Sequence, residues 1–219
     1  LNMPVPTNHS KPVRTSAKES AYSQLEQWII DGTLQPGEKL TDIELAQALN
    51  LSRTPIREAL QLLEMVGFVR MYPGKATTVT EVLKEDINHL LPPLAVLQAL
   101  AGELAVPNIT EDQIRRLEET NQRFAKAIEA KDSFTALKID EEFHRIIIEA
   151  AQNPYITIML SRLQSHVRRQ FFHHSLELSE ASRNEHDQII QAFKDKDAER
   201  LSSLTKNNWI RSIEEMNAK

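Results

Sequence analysis

Cysteine is absent from all 219 residues, so the chain forms no disulfide and offers no thiolate to a metal. Equally absent is any apolar run approaching bilayer-crossing length, and no segment has the layout of a signal peptide. A membrane partner is therefore not expected, and a cytoplasmic location is. A cationic excess is missing too. The net charge is −5, and residues 1–82 hold eight Lys/Arg against nine Asp/Glu, which is not the profile of a general nucleic-acid binder. Any hold on a polyanion must come from local clusters of cations and from two copies acting together. No internal repeat is visible. What remains, 41% hydrophobic and 26% charged residues, is ordinary globular composition, and the length allows two small domains with proper cores.

The chain is organised around residues 44–69, ELAQALNLSRTPIREALQLLEMVGFV. Leu45, Ala46 and Leu49 form a short apolar helix face, which Asn50-Leu51 ends. Ser52 is expected to cap a second helix with its side-chain oxygen. Pro55 fits the first turn, where its missing N–H is not needed. Ile56, Leu60, Leu63 and Val66 then repeat at helical spacing. Ser52, Arg53, Thr54 and Arg57 occupy the N-terminal tip, with no acid before Glu58. Two arginines and two hydroxyls there suit a helix entering a DNA major groove. The alternative on these residues alone is a capped core helix with solvated arginines. Gly67 stops the helix, residues 68–72 and 76–80 read as strands, and Pro73-Gly74-Lys75 is the turn between them. A hairpin in that place makes a winged helix-turn-helix. Gly74 and Lys75 at its tip offer a bare N–H and a cation to a phosphate or the minor groove.

Gly32, Leu34, Pro36-Gly37-Glu38-Lys39-Leu40, Leu45-Ala46, the run LSRTPIREAL over residues 51–60, Leu63, Gly67 and the Gly74 wing together form a pattern. Over residues 22–82 it resembles the DNA-binding domain of GntR-type bacterial transcription regulators. The resemblance implies that Arg53 and Arg57 reach guanine edges or nearby phosphates. It also implies that Ser52 and Thr54 bond phosphates and that Gly74 lies in the minor groove. Close relatives often carry arginine where Ile43 stands, so one backbone contact is expected to be missing.

Residues 1–15, with three prolines and no apolar period, are expected to be a disordered tail. Residues 16–82 make the winged helix-turn-helix, three helices plus a β-hairpin. Its first helix, Ser16–Asp31, turns Leu25, Trp28 and Ile29 inward. Residues 83–219 show no strand pattern and are expected to form an all-α bundle of about six or seven helices, so the fold class is mainly α. There Pro92-Pro93 is expected to break or kink the first helix. Thr110 with Gln113 reads as a capping box. Asp132, Ser179 or Ser182, and Asp197 read as later caps, and Arg168-Arg169 reads as a solvated helix face.

Five of the seven histidines fall between positions 144 and 186. On the helix from Ser133, the residues Glu141, Glu142, Arg145 and Glu149 mark the solvent side, whereas Asp140 and His144, at i and i+4, fall within the apolar arc. A carboxylate turned into a core is costly unless a cation meets it. His186 lies inward among Ile189, Ile190 and Phe193. Asn208 lines up with Leu201 and Leu204, and His166 falls beside Met159 and Leu163. Such a set fits a divalent metal in a bundle core, with carboxylate and imidazole ligands suiting Zn, Ni, Mn or Fe. It equally fits an Asp140–His144 ion pair with ordinary buried histidines.

Asp140-Glu141-Glu142-Phe143-His144, Ala150-Ala151-Gln152-Asn153-Pro154, Glu185-His186 and Asp197-Ala198-Glu199 are a second pattern. Residues 84–216 resemble the FCD ligand-sensing domain of the FadR branch of GntR regulators. In that family an Asp and three His bind a metal, and a small carboxylate effector often completes its coordination. Asp140, His144 and His186 match three of the ligands. The fourth matches Asn208, so metal affinity is expected to be lower, with water, an effector oxygen or His166 filling the gap. The expectation for the whole chain is a homodimeric regulator, mostly a repressor by resemblance. It would bind a pseudo-palindromic double-stranded DNA operator, sense a small carboxylate and perform no catalysis. A metal-dependent hydrolytic enzyme fused to a DNA-binding domain, and an architectural DNA binder with a vestigial pocket, are the alternatives.

Overall fold

A computed structural model of the protein describes residues 16–72, 74, 76–174 and 178–217, with side chains described to 211. The expectations for the tail at 1–15 and for Lys75 lie outside the described residues. Two compact units are present, one comprising residues up to Ile29 and Thr33–Thr80, the other Ile30–Gly32 and Glu81 onward.

The first unit runs α1 (Ala17–Ile30), β1 (Lys39–Leu40), α2 (Asp42–Ala48), α3 (Arg53–Met65), β2 (Val69–Arg70) and β3 (Thr77–Val79). Thr41 caps α2 by accepting from the Glu44 N–H. Asn50 ends that helix in the left-handed region at φ 51°, which an asparagine tolerates better than most residues. Gly67, at φ 84°, ends α3 without the penalty a Cβ would bring. Ile56, Ala59, Leu60 and Leu63 are buried along one face of α3, and Leu25, Leu45, Phe68 and Val79 of the same unit are buried as well.

The hairpin pairs Val69 with Val79 and Arg70 with Thr78, and it has a third strand that the sequence did not reveal. β1 joins β3 antiparallel, Lys39 opposite Thr78, giving the order β1-β3-β2. Two residues are too few to display a period of two. Gly37 N–H donating to the Val79 carbonyl at 3.0 Å and Val79 N–H to that of Glu38 at 2.9 Å extend the pairing.

The second unit opens with a 3-10 turn (Lys84–Asp86) and continues through α4 (Ile87–Ala105), α5 (Glu111–Glu129), α6 (Ser133–Ala150), α7 (Pro154–His174), α8 (Glu180–Asp195) and α9 (Ala198–Asn217). The Thr110–Gln113 capping box is formed in both directions. Asp132 accepts from the Thr135 N–H, Asn153 from Tyr155 and Ile156, and Asp197 from Arg200. Pro92 and Pro93 lie inside α4, which continues through them as one helix. The two lost N–H donors are outweighed by burial. Leu91, Leu94, Ala95, Ala101 and Ala105 are 0–1% exposed, on a helix packed against α6, α7 and, most extensively, α9. No helix among the described residues is long and apolar enough to cross a membrane.

Candidate functional site

Ser52, Arg53, Thr54 and Arg57 all stand exposed at the N-terminal end of α3. Ser52 takes the N-cap position with extended backbone, φ −74° and ψ 163°, but its side chain makes no capping bond, contrary to expectation. An N-cap oxygen accepts from the second or third helical N–H, and here the third residue is Pro55, which has none. The hydroxyl therefore stays outside the helix's own bonding. Gly74 is exposed at the hairpin tip with φ 71°, and nothing lies within 4 Å of where a Cβ would project.

Nothing in the local pattern hints at the partner these arginines share. Asp42, in the first turn of α2, accepts from Arg53 Nη2 at 2.9 Å and from Arg57 Nε at 2.5 Å. The Arg53 guanidinium above all, with Arg57, holds the Asp42 carboxyl below its ordinary range.

In the second unit, Asp140 and His144 on α6 meet His186 on α8, all three buried, and one donor atom from each lies within 4.8 Å of the others. His186 Nε2 is 3.3 Å from Asp140 Oδ1, and His144 Nε2 is 3.9 Å from Asp140 Oδ2. Phe143 stacks on His186 at 3.9 Å between ring centroids, and Trp209 tilts against His144 at 4.9 Å. These rings hold the imidazoles and keep water out.

A residue that sequence reasoning missed orients one of them. Asn121 on α5 donates its amide nitrogen to Asp187 Oδ1 at 2.7 Å and to the Arg183 carbonyl at 3.2 Å. Both acceptors lack hydrogens, so the Asn121 oxygen is the end that meets His186 Nδ1, at 3.1 Å. Nδ1 therefore carries the proton and donates, and in the neutral ring Nε2 turns a lone pair toward Asp140. The only sign in the sequence was an amide on the same buried stripe of α5 as Leu117 and Phe124.

Burial alone would raise Asp140, but His186, His144 and Arg211 keep its carboxyl below the ordinary value. Burial pushes His144 down to about 4 against the pull of Asp140, so it is neutral near pH 7. Neither His144 nitrogen, nor His186 Nε2, makes a hydrogen bond of good geometry, although His186 Nε2 comes within 3.3 Å of Asp140. An ionised buried carboxylate beside two imidazoles whose near nitrogens make no hydrogen bond is a set of metal-ligating atoms. A divalent cation answers all three.

Asn208 lies at the same place. Its Nδ2 donates to Glu185 Oε2 at 2.7 Å, and Glu185 is itself held by Arg211 Nε at 2.6 Å. The amide nitrogen is thus engaged with Glu185, and Asn208 also interacts with His144. His166 is not brought there. It is half-buried on α7 and belongs to no metal-ligating group among the described residues. The face that α7 turns to the adjoining cavity is Gln164, Val167 and Phe171, from which residue 166 is rotated by about 100° relative to 167.

That cavity also touches Leu91, Leu137, Asp140, Glu141, Asn208 and Trp209 and encloses about 20 Å³, room for one or two waters. Glu141, expected on the solvent side, is part-buried and paired with Arg168 at 3.1 Å. Burial raises its carboxyl to about 7, with Arg168 opposing. Nor is Arg168-Arg169 a solvated face. Arg169 is 4% exposed, and burial lowers it to about 10 despite Glu81 and Asp86.

Two family profiles match the chain: "Bacterial regulatory proteins, gntR family" over residues 17–79 and "FCD domain" over residues 93–209. The chain is 26% identical over 181 residues to the uncharacterised HTH-type transcriptional regulator YdhC of Bacillus subtilis, covering 81% of each. It is 31% identical over 155 residues to the HTH-type transcriptional regulator LutR of the same organism, covering 64% of this chain and 68% of LutR. Among solved structures, Escherichia coli McbR/YncC superposes with a TM-score of 0.78 at 24% identity, covering 94% of this chain and 99% of that one.

Proposed function

The chain belongs to the gntR family of bacterial regulatory proteins and carries an FCD domain, and from that premise we propose that it acts as a homodimeric, metal-assisted, carboxylate-sensing repressor. It is a DNA-binding transcription regulator rather than an enzyme. In this reading residues 16–82 read a pseudo-palindromic operator through Ser52, Arg53, Thr54 and Arg57, with Gly74 and Lys75 at the wing. Residues 83–219 dimerise and sense, and the protein works in the cytoplasm beside the DNA.

Asp140, His144 and His186 would hold the divalent ion, with the Asn208 oxygen as the poorer fourth ligand. The ion would supply a positive charge for an effector carboxylate. The observation that carries the sensing half is the ionised Asp140 facing two unbonded imidazole nitrogens. Dimerisation is supported by Val96, Leu100 and Leu104, exposed by 55%, 41% and 36% along one stripe of α4. An effector shifts operator affinity only by as much as it prefers one arrangement of the readers.

The test combines three measurements on the full chain. Sedimentation gives the oligomeric state, elemental analysis gives the bound metal, and binding to a duplex selected from a randomised library gives operator affinity with and without a panel of small carboxylates. A metal-bearing dimer released from DNA by one of them supports the reading. A metal-free monomer, indifferent to all of them, sinks it.

A fragment of residues 16–82 is expected to bind the selected duplex at least about 100-fold more weakly than the full chain, since linking two readers raises effective affinity by roughly 10²–10⁴. Fluorescence anisotropy checks this, and equal affinities would remove the need for a dimer. Asn121→Ala is expected to weaken metal binding by about 10–100-fold while leaving DNA binding by the metal-loaded chain intact. Isothermal titration with Zn²⁺ or Ni²⁺ measures it, and an unchanged Kd would show that Asn121 does not orient a ligand.

A further inference from the structure

Two arginines one turn apart on a helix repel each other, and each guanidinium has many rotamers in which it trails in solvent. Arg53 and Arg57 avoid both problems by sharing one acceptor from a different helix. Asp42 Oδ2 takes Arg53 Nε at 3.2 Å, Arg53 Nη2 at 2.9 Å and Arg57 Nε at 2.5 Å, and Oδ1 takes Arg53 Nη2 at 3.2 Å. The carboxylate is 18% exposed, whereas the arginine side chains are 52% and 59% exposed. The acid is therefore covered and the cations face out.

The donors left over matter most. Among the described residues, Nη1 of Arg53 and both Nη nitrogens of Arg57 have no hydrogen-bond partner. Guanine presents N7 and O6 to two such donors at once, and a fork already aimed loses less freedom on binding. Asp42 also cancels one of the two positive charges at the helix tip. That weakens attraction to phosphates of any sequence, which is the part of binding that carries no information.

We infer that Asp42 is a positioning residue for base reading. It holds the Arg53 and Arg57 guanidinium groups side by side with their free ends outward, so that the tip of α3 selects sequence instead of gripping phosphates indiscriminately. The inference rests on the reading above that α3 faces DNA. A merely structural Asp42, stapling α2 to α3, would alter thermal stability slightly and leave selectivity where it was.

The experiment uses the full chain, a duplex it selects from a randomised library, and a scrambled duplex of the same composition, across a range of salt. Asp42→Asn is expected to lower the ratio of selected to scrambled affinity by about tenfold or more. Binding to the scrambled duplex should tighten, and its log–log salt slope should steepen by about 0.9 for each reader. Asp42→Ser, which keeps a good residue in the first turn of α2, should behave like Asp42→Asn, and Asp42→Glu should restore most of the selectivity. An unchanged ratio in Asp42→Asn, or a Glu variant as poor as the Asn variant, overturns the proposal. If Arg53→Ala abolishes binding while Asp42→Asn changes nothing, only the role of Asp42 falls. If Arg53→Ala binds like the unaltered chain, the assignment of α3 as reader falls with it.

Discussion

Arg53→Ala is expected to lower affinity for the selected duplex by at least about 30-fold, and by as much as about 10⁴-fold. One bidentate arginine contact is worth roughly 1–3 kcal/mol of discrimination, and a dimer carries it twice. The fold should survive. Arg53 is the first residue of α3, exposed, and alanine is the better helix former. What the folded chain loses is its bonding to Asp42, a surface contact that solvent screens and that adds little to stability. Anisotropy against the duplex, read beside circular dichroism and thermal unfolding, separates the two. Full DNA binding by the variant would mean that the exposed face of α3 is not the reading face.

Asp140→Asn is expected to abolish the stabilisation that metal confers while leaving the metal-free chain folded. An ion present at a hundred to a thousand times its Kd adds about 2.7–4.1 kcal/mol to the state that binds it. Asparagine keeps the volume and removes the charge, so two imidazoles remain without the anion that draws the cation to them. In the metal-free protein the same change removes a carboxylate that His186, His144 and Arg211 favour in its ionised form, so it should cost some stability there too, and the chelator arm measures that cost separately. The check is a denaturant titration of both chains, with chelator and with saturating Zn²⁺ or Ni²⁺. Equal metal-induced shifts in both would discard Asp140 as a ligand. The His144 and His186 rings would remain in place, because Phe143, Phe124 and Trp209 pack against them whether or not an ion is present.

Expectation and structure parted company where distant segments meet. Pro92-Pro93 predicts a break or a kink because the local penalty for proline is large, yet α4, buried against three other helices, continues through the pair as one helix. His166 seemed a candidate ligand because a histidine beside apolar residues resembles His144 in pattern. One residue of rotation about α7 puts it on a different face from Val167. Asn121 and Asp42 carry no signal in the sequence for the opposite reason. An amide in an amphipathic helix and an acid in the first turn of another are unremarkable alone, and each gains its role only from a partner on a different element.

By itself the amino-acid order determined what local physics controls. It determined the caps at Thr110, Asp132, Asn153 and Asp197, the helical spacing in α3, and the i,i+4 pairing that puts Asp140 and His144 on one inward stripe. These depend on neighbours within a turn or two of backbone, so spacing is enough to read them. Only the tertiary structure decided that β1 completes the sheet, that Asn121 holds His186 against Asp140, and that one carboxylate on α2 governs two arginines on α3. Those facts depend on how helices and strands far apart in the chain are brought together. Packing across a core sets that, and no periodicity along one segment records it.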